Sequence, residues 1–194
     1  LMSYFKDFIN LLSNKKMMEV FKSVTDNKLR WVHYFDVLLN FTGAKGWHTD
    51  SQFFHIEQGN YSKDFIDEDY KVYRIAIYLQ DHSDNDGGLF VRPGSHIDED
   101  LNTGDSMPAF DHYAATEAGD IIIFDARLRH KGGNYNGDRC SIFTAMAADN
   151  EWSKLHAKGA IERQVRQNQQ DEYVVQDYLK NKLEELDIVY DGYK

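Results

Sequence analysis

Cysteine and proline are nearly absent from this chain: 194 residues contain one of the first, Cys140, and two of the second. A single cysteine excludes an internal disulfide and a cysteine-based zinc cluster. Basic residues are few beside acidic ones, 22 against 32, and the net charge of −10 argues against nucleic acid or an anionic membrane surface as the main partner. No apolar run approaches the ~20 residues that a membrane-spanning helix needs. No secretory leader is recognisable either: Leu1 to Asn10 is an ordinary amphipathic stretch containing Lys6 and Asp7. The expectation is a soluble, cytoplasmic protein. Because its first residue is leucine, an N-terminal portion is expected to be missing.

What is present suits a folded protein. Hydrophobic residues make up 42% and aromatics 14%, enough for a sizeable core, and the length suits a single domain over residues 1–194. Residues 1–28 read as a helical N-terminal segment, with Phe5, Phe8, Ile9, Leu11 and Leu12 on one apolar stripe and Met17, Met18, Val20 and Phe21 on a second. Residues 30–148 change to short β segments, the clearest being Val72 to Leu79. Turn signals separate them at Asp84 to Gly88, Pro93-Gly94-Ser95, Gly119-Asp120 and Asn136-Gly137-Asp138. Such spacing predicts a mainly β fold, an antiparallel sandwich or barrel, rather than alternating β and α units. Residues 150–194 are charged and rich in Gln and Glu, and predict one or two surface helices.

Eight histidines are present, and most need no function. His48 stands apart because Asp50 follows two residues on, in Trp47-His48-Thr49-Asp50. In an extended segment, residues i and i+2 point to one side, so imidazole and carboxylate can reach one ion. Far downstream, Gly119 to Asp125 reads as a turn and a buried strand, and His130 closes that segment. Two histidines and one carboxylate on a β scaffold make the facial triad of non-haem iron sites, with coordination positions left open. A mixed nitrogen and oxygen donor set without thiolate suits Fe(II) better than a closed structural zinc. His55 is an alternative ligand, but it lies off the face that carries His48 and Asp50. Arg139, with Ser141 and Phe143 on the same face of a predicted strand, is suited to grip a carboxylate through its planar fork. Arg74, Arg127 and Arg129 read as solvent-facing or snorkelling residues, and His96 as part of a structural turn.

In series, these motifs resemble the phytanoyl-CoA dioxygenase-like family of Fe(II)/2-oxoglutarate-dependent oxygenases, which includes ectoine hydroxylase. The elements that carry the resemblance are Trp47-His48-Thr49-Asp50, Gly88 to His96 with its Pro93-Gly94-Ser95-His96, Gly119 to Asp125, His130 and Arg139. They run in register over about residues 40–146. The resemblance implies a double-stranded β-helix (jelly-roll, cupin-like) core, with iron on His48, Asp50 and His130. It implies further that Arg139, helped by Ser141, binds 2-oxoglutarate and that Phe54 and Phe143 line a substrate pocket. The activity it implies is hydroxylation of an unactivated C–H bond of a small molecule by dioxygen, releasing succinate and carbon dioxide. Two other readings stay open. One is a cupin-like metalloprotein, an isomerase or small-molecule binder, that does not use 2-oxoglutarate; the other is a structural sandwich with coincidental histidines.

Overall fold

The computed structural model describes residues 6–26, 28–39, 46–50, 68–83, 87–98, 100–102, 107–133, 140–168 and 175–191. A 3-10 helix, Lys6–Ser13, leads into α1, Lys15–Val24. Asn14 starts α1 from extended backbone, its side chain accepting the Met17 N–H at 3.0 Å, the usual answer to the unpaired donors of a helix start. Met17, Met18 and Phe21 fall on one face and are buried, whereas Val20 of the expected stripe is exposed.

The strands are β1 (Leu29–Leu39), β2 (Val72–Tyr78), β3 (Leu89–Val91), β4 (His112–Ala114), β5 (Ile121–Asp125), β6 (His130–Gly132), β7 (Cys140–Ala148) and β8 (Ile188–Val189). Two helices, α2 (Glu151–Asn168) and α3 (Asp177–Glu185), lie between β7 and β8. The chain is therefore mainly β with flanking helices. Among the described residues the strands form two sheets and no closed barrel: β5-β2-β7-β1-β8 in one, β4-β3-β6 in the other. The C-terminal stretch holds the two helices its composition suggests and also β8, which pairs in parallel with β1 through Leu29 and Arg30.

The chain divides into two compact units. One is Leu1–Tyr34, Asp69–Val72 and Ala145–Lys194; the other is Phe35–Glu68 and Tyr73–Thr144. In the first, buried Arg30 on β1 binds Asp149 at 2.7 Å and Asp191 at 2.7 Å, so one cation holds residues from two other, distant stretches of sequence. In the second, Ala76 and Tyr78 of β2, Phe124 of β5 and Leu89 of β3 form a buried cluster. Val91, Ala114, Ile122, Leu128 and Phe143 pack against it. Side chains of both sheets thus meet in one apolar core. β2 and β5 are antiparallel from Tyr73 opposite Asp125 to Ile77 opposite Ile121. In the smaller sheet Val91 lies opposite both His112 and His130, and that register fixes the place of His130.

Turns follow the expected chemistry. Gly94 and Gly119 have φ of +86° and +94°, values that L side chains rarely adopt. Ser95 closes the Pro93-Gly94 bend by donating its N–H and its hydroxyl to the Arg92 carbonyl. His96 accordingly sits in a turn.

Candidate metal centre

His48 and His130 are brought together by backbone pairing, since each donates its N–H to the other's carbonyl at 2.9 Å. Their rings stand 4.3 Å apart between centroids. Asp50 is fixed from its own backbone, its N–H donating to the Ala126 carbonyl at 2.8 Å. One donor atom from each of His48, Asp50 and His130 can be chosen so that all three lie within 4.8 Å of one another. Asp50 and His130 are buried and His48 is half-buried. All three residues belong to the second unit.

The tautomers follow from the partners. Nδ1 of His48 lies 2.8 Å from the Gly46 carbonyl, and Nδ1 of His130 lies 2.8 Å from the Leu128 carbonyl. A carbonyl only accepts, so each Nδ1 carries the proton and each Nε2 keeps a lone pair. Those Nε2 atoms face Asp50, at 3.9 Å from Oδ1 for His48 and 3.6 Å from Oδ2 for His130. Burial pushes the His130 pKa down from the usual 6.5 to about 4, against the pull of Asp50. A neutral imidazole is the form that ligates a metal. Phe124 meets the His130 ring edge-on at 4.8 Å and restricts its rotation.

The structure corrects the reading of the arginines. Arg74 is not solvent-facing: it is 3% exposed, and its Nε lies 2.6 Å from Asp50 Oδ2. Strand geometry aims it inward, and a buried carboxylate compensates its charge. Arg127 is likewise buried and binds Asp125 at 2.8 Å. Arg129 is half-buried and donates to the Asn102 carbonyl. Nothing in a single strand pattern separates an inward arginine with a distant partner from an outward one.

Of the other expected site residues, Arg139 and Phe54 lie outside the described residues, as does the alternative ligand His55. Ser141 on β7 is fully buried, and its Oγ has no hydrogen-bond partner among the described residues. Such an orphaned hydroxyl is unusual in a folded interior and suits a polar ligand group. Phe143, two residues on, is half-buried and meets Tyr78 edge-on at 6.2 Å. Trp47 lies beside the cluster, with the Arg92 guanidinium 4.8 Å and the Lys131 ammonium 5.0 Å from its ring centre.

Two sheets, with two imidazoles and one carboxylate converging beside them without thiolate, define a class: jelly-roll proteins with a mixed nitrogen and oxygen metal site. Within it, the chain belongs to the phytanoyl-CoA dioxygenase (PhyH) family, matching it over residues 12–140. Solved structures agree on the fold. EctD from S. alaskensis with bound Fe has a TM-score of 0.53 and 18% identity, over 72% of this chain and 52% of that one. SnoN, described as a non-heme alpha ketoglutarate dependent epimerase from nogalamycin biosynthesis, has a TM-score of 0.52 and 20% identity, over 72% and 55%. The ThoJ–Ni complex, a non-heme monooxygenase, has a TM-score of 0.54 and 13% identity, over 72% and 52%. The chain spans about half the length of these three, and 32% of EvdMO1, which it matches at 22% identity. No curated protein matches it by sequence. Among the described residues no helix is long and apolar enough to cross a membrane.

Proposed function

We propose that this chain is an Fe(II)- and 2-oxoglutarate-dependent dioxygenase that hydroxylates an unactivated C–H bond of a small molecule in the cytoplasm. The observation that carries the reading is the convergence of His48, Asp50 and His130 within 4.8 Å. Both histidines are held as the tautomer that offers Nε2, and the family match supports the same assignment. In this reading the three residues hold the iron. Arg139 grips the far carboxylate of 2-oxoglutarate, with the orphaned Ser141 hydroxyl donating beside it. Phe54 and Phe143 line the pocket for substrate.

When bound, iron and 2-oxoglutarate supply the oxidation of a C–H bond by dioxygen, with succinate and carbon dioxide as coproducts. The chain's own contribution is placement. Asp50 brings the anionic donor of the three, and its presence disfavours halogenation, which needs that position for halide. Desolvation keeps His130 neutral near pH 7 and ready to ligate without first losing a proton. Phe124 of the apolar core packs against the His130 ring, and the burial of Asp50 and His130 strengthens the charge interactions between them.

Succinate formation tests the reading, measured against 2-oxoglutarate concentration in wild type and Arg139→Ala. Loss of a charge-assisted bidentate pair is expected to raise the 2-oxoglutarate requirement about a hundredfold, with Fe(II) affinity unchanged. An unaltered requirement in a folded variant would assign the grip to another residue. Fe(II) binding with no 2-oxoglutarate-dependent product from a broad substrate panel would favour the metalloprotein that does not use 2-oxoglutarate.

A further inference from the structure

Arg74 is a costly residue to find inside a β-sheet. It sits on β2 between Tyr73 and Ile75 and is 3% exposed. Its Nε lies 2.6 Å from Oδ2 of Asp50, a buried ion pair. Asp50 has His48 on its Oδ1 side, at 3.9 Å, and His130 on its Oδ2 side, at 3.6 Å. The guanidinium therefore pairs with Oδ2, the carboxylate oxygen nearer His130, while the backbone of Ala126 holds the Asp50 N–H. Two anchors of different kinds fix the residue, one on the main chain and one on the side chain.

We infer that Arg74 is a positioning residue for the metal centre: it fixes the rotation of the Asp50 carboxylate, so that Asp50 offers a single oxygen to the ion. The inference rests on the proposed iron site. An unanchored carboxylate can swing or bind through both oxygens, and a second bound oxygen would occupy a position that cosubstrate and dioxygen need. Outer partners of this kind orient metal ligands, and their removal typically lowers metal affinity about 10- to 100-fold. Arg74 also balances a buried anion in the metal-free protein, where an uncompensated charge would be costly. A lysine there brings a point charge without the planar fork, so it would neutralise Asp50 but orient it less well.

The test uses Co(II) as the probe, with no turnover required. Anaerobic calorimetry and the visible Co(II) absorption spectrum are recorded for wild type, Arg74→Gln and Arg74→Lys, with circular dichroism as the check on folding. Arg74→Gln is expected to bind Co(II) at least about tenfold more weakly and with an altered spectrum, and Arg74→Lys to recover part of that affinity. Wild-type affinity and spectrum in folded Arg74→Gln would overturn the positioning role and leave the iron site standing. Absence of Co(II) binding by the wild type would overturn the iron site itself, and the role of Arg74 with it. Should Arg74→Gln not fold, a crystal structure of the Co(II)-loaded wild type decides. Asp50 bound through one oxygen with Arg74 on the other supports the role, and Asp50 bound through both, or Arg74 turned to another partner, overturns it.

Discussion

His130 gives the residue scale a pH signature. Burial holds its pKa at about 4 in the folded, metal-free protein, against 6.5 for an ordinary histidine. Between those values the unfolded chain takes up a proton that the folded chain resists. Stability is therefore full above about pH 6.5 and is lost as the pH falls toward 4. Urea unfolding of the metal-free protein at pH 7 and pH 5 is expected to lose about 2 kcal/mol more in wild type than in His130→Gln. Equal losses in the two proteins would mean that His130 is not buried as a neutral ring. The two-residue spacing points to His48 and Asp50 as neighbours, since an extended segment would turn both to one side. In the fold, His48 pairs with His130 and Asp50 is held by the Ala126 carbonyl. Arg74 stays hidden, since its partner Asp50 is brought to it only by the fold, and a strand pattern does not say which acid an inward arginine meets.

Strand identity was legible in the longer elements. Val72–Tyr78, Ile121–Asp125 and Cys140–Ala148 are rich in β-branched and aromatic residues or bounded by turn signals, which is where pattern reading is strongest. His112–Ala114 and Ile188–Val189 were not, because two or three residues carry no periodicity and owe their state to neighbouring strands. The backbone approaches itself closely at the junction after β6. A Cβ on Gly133 would lie 2.8 Å from the Gly87 backbone, where Gly133 donates to the Gly88 carbonyl at 2.8 Å. Backbone cannot yield as a side chain can, so Gly133→Ala is expected to lose about 1–3 kcal/mol. Gly46→Ala, with no atom of the described residues within 4 Å of its added carbon, is expected to be near neutral. Thermal unfolding of both variants checks the pair, and equal melting temperatures would contradict the close approach.

At the scale of the whole chain, Arg30 binds residues that sequence order keeps far apart, Asp149 and Asp191. Burial alone would raise the Asp149 pKa, but Lys28 and Arg30 outweigh it and hold the carboxyl below its ordinary value. The stability this pairing contributes is present above the usual carboxylate range and is lost as the pH falls through it. Arg30→Met leaves two carboxylates without their shared cation and is expected to cost about 3 kcal/mol, read as a lower urea midpoint at pH 7. An unchanged midpoint would mean the network contributes nothing. As a catalyst, the chain is proposed to hold one Fe(II) on His48, Asp50 and His130, which 2-oxoglutarate then joins. The most direct test is an anaerobic titration of the metal-free protein with Fe(II), followed by 2-oxoglutarate, in wild type and Asp50→Ala. One Fe(II) per chain and a weak visible charge-transfer band on adding 2-oxoglutarate are expected in wild type, with both lost in the variant. Wild-type binding and an unchanged band in Asp50→Ala would contradict that assignment.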